Sequence, residues 1–348
     1  MKLSVTVAAH RRRVAAVTAT MALGAALLAG CADSGATADG GEEGSDSLFI
    51  ATGGASANQL VPYLAEVLGY AEEEGLDLKV QSLEANVVSA VVAGRADMAE
   101  FGSGSALAPV SEGKDTALVF GVQAGWATGF VAAGDGIDDL SQCERVSTHP
   151  RGSSAYSSAA SYKKATGADY EIVEFTTPTD VVASVLSGQS DCASSSLGIL
   201  TPGLSEGLHL IVDARDEAQI PPDSVQGTTG VGLWGMKDGL EEKKDATVKL
   251  MRALAKVQDY LETATPEEVA TELVKHSDFA ANEVDALAAN VEAEVPFFFP
   301  NDGRILDEDW EKTLVYYQIG NPAIEPGDEL WSYDSRVDMS YFDEAAQS

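Results

Sequence analysis

The chain has 348 residues, 45% hydrophobic and 22% charged, which is enough for two ordinary domains with real cores and unlike a disordered composition. A formal net charge of −33 argues against nucleic-acid binding. Acidic residues are spread along the chain with one short run at Glu42-Glu43, as expected of a solvated surface rather than an acidic tail.

Lys2 and Arg11-Arg12-Arg13 form a basic region ahead of the apolar stretch Val14 to Ala29, a signal-peptide pattern. Its 16 residues fall short of the roughly 20 a spanning helix needs. No basic stop-transfer flank follows. Leu28-Ala29-Gly30-Cys31 resembles a bacterial lipobox. That resemblance implies loss of residues 1–30, a diacylglycerol on Cys31 and anchorage at the extracytoplasmic face of the cell membrane. Residues 31–46, rich in Gly, Ser, Ala and acid, read as a flexible tether. With Cys31 set aside, Cys143 and Cys192 remain as an even pair in an oxidising compartment. A disulfide and two separate buried thiols both fit that count. The histidines His10, His149, His209 and His276 are scattered and no zinc-type spacing occurs, so neither a metal nor a cofactor is expected.

The body of the chain repeats itself. Val87 to Ala99 reads VVSAVVAGRADMA and Val181 to Ala193 reads VVASVLSGQSDCA, aligned without a gap, with Gly94 matching Gly188 and Asp97 matching Asp191. In each copy a helical apolar run stops on a glycine and enters an Asp-x-Ala strand. Upstream, Gly75-Leu76-Asp77-Leu78 faces Gly167-Ala168-Asp169-Tyr170, and the strands at Leu48 and Arg145 lead into Gly/Ser turns. Each half thus reads strand, turn, helix, strand, helix, strand, which predicts two α/β lobes with parallel sheets. The first lobe is assigned to 47–130 plus 225–348 and the second to 131–224. A strand at Gly230 to Trp234 and a helix from Asp245 to Leu261 return the chain to the first lobe.

The order of features is similar to that of the nitrate/sulfonate/taurine and thiamine-precursor solute-binding proteins, the SsuA-like group. The residues that carry it are Tyr70 to Asp77, Gly94-x-x-Asp97, Gly188-x-x-Asp191, Asp139-Leu140, Gly152 to Tyr156 and Val337 to Asp343. Where many members have Lys-Gly-Lys after the Asp-Leu, Ser141-Gln142-Cys143-Glu144-Arg145 stands here. The resemblance implies the two-lobed type II periplasmic binding protein fold with a ligand cleft between lobes. In that fold the strands after Cys143 and at Cys192 are parallel neighbours, so a Cys143–Cys192 disulfide is implied.

Ligands in open α/β sheets bind beyond the carboxyl ends of the strands. The candidates there are Gly53, Gly54, Ser56, Glu100, Ser103, Ser105, Arg151, Ser153, Ser154, Tyr156, Ser194 and Ser195, with Ser153, Ser154, Ser103 and Ser105 foremost. Helix starts at these places favour an anionic or strongly polar group. The same serines also serve as helix caps. Arg151 suits a sulfonate, carboxylate or nitrate unless it points to solvent, and Glu100 suits an amine or aminopyrimidine unless it points away from the cleft. Trp126, Trp234 and Phe297-Phe298-Phe299 are read as core before stacking platforms.

No Gly-x-Ser-x-Gly elbow, Walker loop or His-Glu-x-x-His occurs. Relatives that form a thiamine pyrimidine use a cysteine-rich motif that this chain lacks. The resemblance therefore implies a monomeric, non-enzymatic capture component of an ABC importer. It would hold a small polar or anionic solute (sulfonate, nitrate or pyrimidine-like) by lobe closure about Phe130 and Val225, with a membrane permease as partner. A sensing or adhesion lipoprotein is the alternative.

Overall fold

The computed structural model describes residues 46–225 and 229–347. The expected leader at 1–30, the lipidation site Cys31 and the tether up to residue 45 lie outside the described residues. Ten strands run in chain order: β1 Ser47–Thr52, β2 Asp77–Ser82, β3 Met98–Gly102, β4 Thr116–Gln123, β5 Phe130–Ala133, β6 Arg145–Thr148, β7 Glu171–Glu174, β8 Cys192–Ser195, β9 His209–Val212 and β10 Val231–Met236. They form two five-stranded sheets, ordered β2-β1-β3-β10-β4 and β7-β6-β8-β5-β9.

Within each sheet the first three strands are parallel. The expectation of wholly parallel sheets is corrected by β10, antiparallel to β3 and β4, and by β5, antiparallel to β8 and β9. The physical reason lies in the route. β5 reaches the second sheet directly from β4 of the first, and β10 returns to the first sheet after β9 of the second. Neither arrives through the helical crossover that makes neighbours parallel.

The sequence repeat is a repeat of hydrogen bonding. Gly94 (φ 66°) and Gly188 (φ 73°) take the left-handed conformation that closes a helix. Behind them Arg95 N and Ala96 N both donate to Ala90 O, and Gln189 N and Ser190 N both donate to Ser184 O. The aspartates then tie the next strand to the first. Asp97 Oδ2 accepts from Phe49 N at 2.7 Å, and Asp191 Oδ2 accepts from Arg145 N at 2.8 Å. In both lobes the aspartate N–H returns the bond to the same partner's carbonyl at 3.0 Å. A charged acceptor on a backbone donor at the amino end of a parallel strand fixes register where the ladder begins.

Helices cover both faces. The helix Lys244–Thr263 brings Leu250, Leu254 and Val257 onto Ile50, Leu60 and Leu233. On the other face Trp234 joins Trp310, Leu314, Tyr316 and Tyr317 of the helix Asp307–Gln318. Full burial of one such aliphatic side chain contributes roughly 1.5–3 kcal/mol. In the second lobe Cys143 and Cys192 form a disulfide, with Cα atoms 6.0 Å apart and a sequence separation of 49. It ties the segment leading into β6 to the start of β8, strands paired at Val146 and Cys192. Among the described residues no helix is long and apolar enough to cross a membrane.

Candidate functional site: a cleft between two sheets

Segments following β1, β2 and β3 meet those following β6, β7 and β8 around a cavity of about 320 Å³. A wider mouth of about 1030 Å³ adjoins it. Of the residues singled out from sequence, Gly53, Ser56, Ser105, Arg151, Ser153, Ser154 and Ser195 line the inner cavity, and Gly54 lines the mouth.

The other four lie elsewhere. Glu100 is completely buried. Strand parity explains it, because β3 turns Met98 into the core layer that holds Leu60 and Val61, and Glu100, two residues on, points the same way. Burial raises its pKa well above the carboxylate range, with only the Val61 N–H working in the opposite direction. Ser103 and Ser194 are fully buried. Tyr156 lies beneath the Arg151 guanidinium, 5.1 Å from its ring centre.

The lining serines have prior engagements. Ser153 is the N-cap of the helix Ser154–Thr166, its Oγ accepting from Tyr156 N at 3.2 Å. Ser154 Oγ donates to Gly230 O at 2.9 Å and lies 2.7 Å from the Tyr317 hydroxyl. Next to it, Tyr316 OH donates to Ser154 O and lies 2.6 Å from Ser158 Oγ. The two tyrosines thus fasten a second-lobe helix to the first lobe just beside the cavity. Glycines permit the approach, since a Cβ on Gly104 would collide with Gly152 O and the Tyr317 ring.

Arg151 is committed to Glu174, which accepts from its Nε at 3.2 Å and its backbone N at 2.9 Å. Its side chain is 65% exposed. His149, directly after β6, places Nε2 2.8 Å from Ser195 Oγ. Enclosure pulls its pKa down to about 4, so it is neutral at physiological pH. Glu294, at the end of the helix Val284–Glu294, is fully buried and accepts from Gln123 Nε2 at 2.6 Å and from Gly198 N at 2.5 Å. Burial pushes its pKa up to about 7 against those bonds.

Asn58, Gln59, Thr128, His149 and Ile199 also line the cavity without having been singled out as ligand contacts. For His149 the position after a strand was the available signal; for Ile199 the sequence offered none. Trp234, Phe297 and Phe299 are buried core residues, and the side chain of Trp126 lies outside the described set. Among the described residues no group of three or more His, Cys, Asp or Glu is placed to hold a metal ion.

This arrangement defines a two-lobed, type II periplasmic-binding fold, and solved structures share it. The ligand-binding component of an ABC-type import system from Staphylococcus aureus, solved with zinc bound, superposes with a TM-score of 0.68 at 14% identity, over 87% of this chain and 100% of that one. The periplasmic aliphatic sulphonate-binding protein SsuA from Escherichia coli gives 0.60 at 15% identity, over 79% and 86%. The periplasmic nitrate-binding protein NrtA from Synechocystis PCC 6803 gives 0.63 at 12%, over 87% and 88%. The sequence matches no family model and no curated protein.

Proposed function

We propose that this chain is the solute-capturing component of an ABC importer, held at the extracytoplasmic face of the membrane by a lipid on Cys31. The carrying observation is the cavity where strand ends of two sheets converge, on a fold that the import and periplasmic binding proteins above also have. The strands bounding it connect through the crossings β4 to β5 and β9 to β10, two connections about which each sheet would move as a body. Binding and closure need no bond chemistry, and a membrane permease is the partner that would read the closed form. The candidate contacts are the lining residues Gly53, Ser56, Ser105, Arg151, Ser153 and Ser195. Glu100, Ser103 and Ser194 act through packing.

A thermal-shift screen of the purified chain tests the reading, since a ligand at about 100 times its Kd adds about 2.7 kcal/mol. A saturable rise with one solute class is expected. A rise lost on Ser105→Ala and Ser195→Ala places the solute in the cleft; a rise that both leave unchanged removes it from there. Lipid attachment is tested separately. Cys31→Ser should release the protein from the membrane fraction, and retention would refute the anchor.

A further inference from the structure

We infer that the cleft takes an uncharged solute and excludes oxyanions, because the arginine that lines it is paired with a glutamate and the remaining charged groups of its mouth are acidic. The inference rests on the solute-capture reading. An anion enclosed between two lobes needs a cation or a set of free N–H groups in place of its water.

Cations are not at hand. The ionisable residues lining the inner cavity are Glu84, His149 and Arg151. Arg151 spends its charge on Glu174 at an exposed edge, and His149 is held neutral against Ser195. Among the described residues the mouth adds Glu206, Asp278 and Glu283 and no basic side chain. An approaching anion therefore travels through a negative field.

At each of three helix starts one N–H is taken by a side chain of the protein's own. At the helix Ser154–Thr166 the Tyr156 N–H goes to Ser153 Oγ. At Pro178–Leu186 the Asp180 N–H goes to Thr177 Oγ1, and Pro178 has no N–H to offer. At Leu197–Ser205 the Gly198 N–H goes to Glu294. There a buried carboxyl group of the protein's own takes the N–H of a residue that lines the mouth. Gly198 is what makes room, since a Cβ would come within 2.6 Å of Glu294 Oε1. Also facing the cavity are Ser105, Asn58 and Thr176 beside Phe101, Ile199 and Val231. That lining suits a neutral solute with one apolar face and a few hydrogen-bonding edges.

The experiment has two arms at pH 8. In the first, the unaltered chain is titrated with benzoate, methanesulfonate and nitrate and with the uncharged probes benzamide and cytosine, and is also equilibrated with deproteinised cell extract, washed, denatured and its released solute identified by mass spectrometry. The anions are expected to show no saturable binding up to about 10 mM, a stability gain near zero by linkage, and the released solute is expected to be uncharged. Saturable binding of any of the three anions, or release of a carboxylate, sulfonate or phosphate, overturns the inference and leaves the capture reading intact. No bound probe and no released solute would overturn the capture reading, and the inference with it. In the second arm, Glu294→Ala frees the Gly198 N–H. Acetate should then raise the Tm of the variant saturably and leave the unaltered chain unmoved. An acetate effect that is absent from the variant, or equal in both proteins, overturns the assignment of Glu294 as the occupant. The first arm keeps the inference falsifiable should the variant fail to fold.

Discussion

In the first lobe the paired strands β1 and β3 lie between layers of large side chains, Leu60, Leu64 and Leu254 on one face and Trp234, Trp310 and Tyr317 on the other. In the second lobe the equivalent strands β6 and β8 lie against Val181, Val185, Ala132 and Ala133 and a helix that buries Ser154, Ser157, Ser158 and Ser161. Both nonetheless carry the same glycine stop and the same aspartate clamp. The wiring of the unit is therefore independent of the volume packed around it. Only the second lobe adds a covalent link, the disulfide, which sits in a cluster with Val146, Tyr162 and Tyr170.

Breaking that link should have the largest effect. Cys143→Ala with Cys192→Ala releases a loop whose closure is worth about 4 kcal/mol in the chain-entropy model. Calorimetry should show the second lobe melting ahead of the first, and a single unshifted transition would mean that its core suffices alone. Removing the clamps sharpens the comparison at a smaller scale. Asp97→Ala and Asp191→Ala each delete a charge-assisted bond to a strand N–H, a loss of about 2 kcal/mol. Urea denaturation should give similar costs for the two; a large difference would show that core volume, not wiring, sets their worth. Ser153→Ala removes an N-cap, about 1 kcal/mol, and should leave the first lobe's hydrogen exchange unchanged.

Two further effects depend on pH and are opposite in sign. Glu294 has a folded pKa raised to about 7 from 4.5, so its contribution is fully present below pH 4.5 and is lost as pH rises to 7. His149 has a folded pKa lowered to about 4 from 6.5, so its contribution is present above pH 6.5 and is lost as pH falls towards 4. Glu294→Gln should tilt the Tm-against-pH curve upward towards neutrality, and His149→Gln should flatten its acid limb. Unchanged curves in both variants would show that neither group stays dry.

The repeat and the two lobes were legible because they are written in local terms, while the pairing of Cys143 with Cys192 followed only from the fold that the resemblance implied. A glycine at a helix stop and an aspartate three residues on keep their meaning wherever the chain goes. The site was legible only as a set of segments. Ser153 and Ser154 are adjacent, yet one caps its helix and the other binds Gly230 O, 76 residues away in sequence. Glu100 follows the same rule as Phe101 in sequence and the opposite one in the sheet, since parity sends one into the core and the other to the cavity. The staple made by Tyr316 and Tyr317 spans about 160 positions, as from Ser154 Oγ to the Tyr317 hydroxyl (|i−j| = 163). No periodicity announces it.

That staple makes the seam between lobes unusual as a surface. Beside the cavity its contacts are hydroxyl to hydroxyl and hydroxyl to carbonyl, through Ser154, Ser158, Tyr316 and Tyr317, while farther along Glu294 accepts from Gly198 N and Phe297 packs with Leu197 and Leu200. Each of the hydroxyl contacts is a bond that water can replace at a net cost of only about 1 kcal/mol. A seam of leucines would resist wetting as one piece, while this stretch can be unfastened bond by bond.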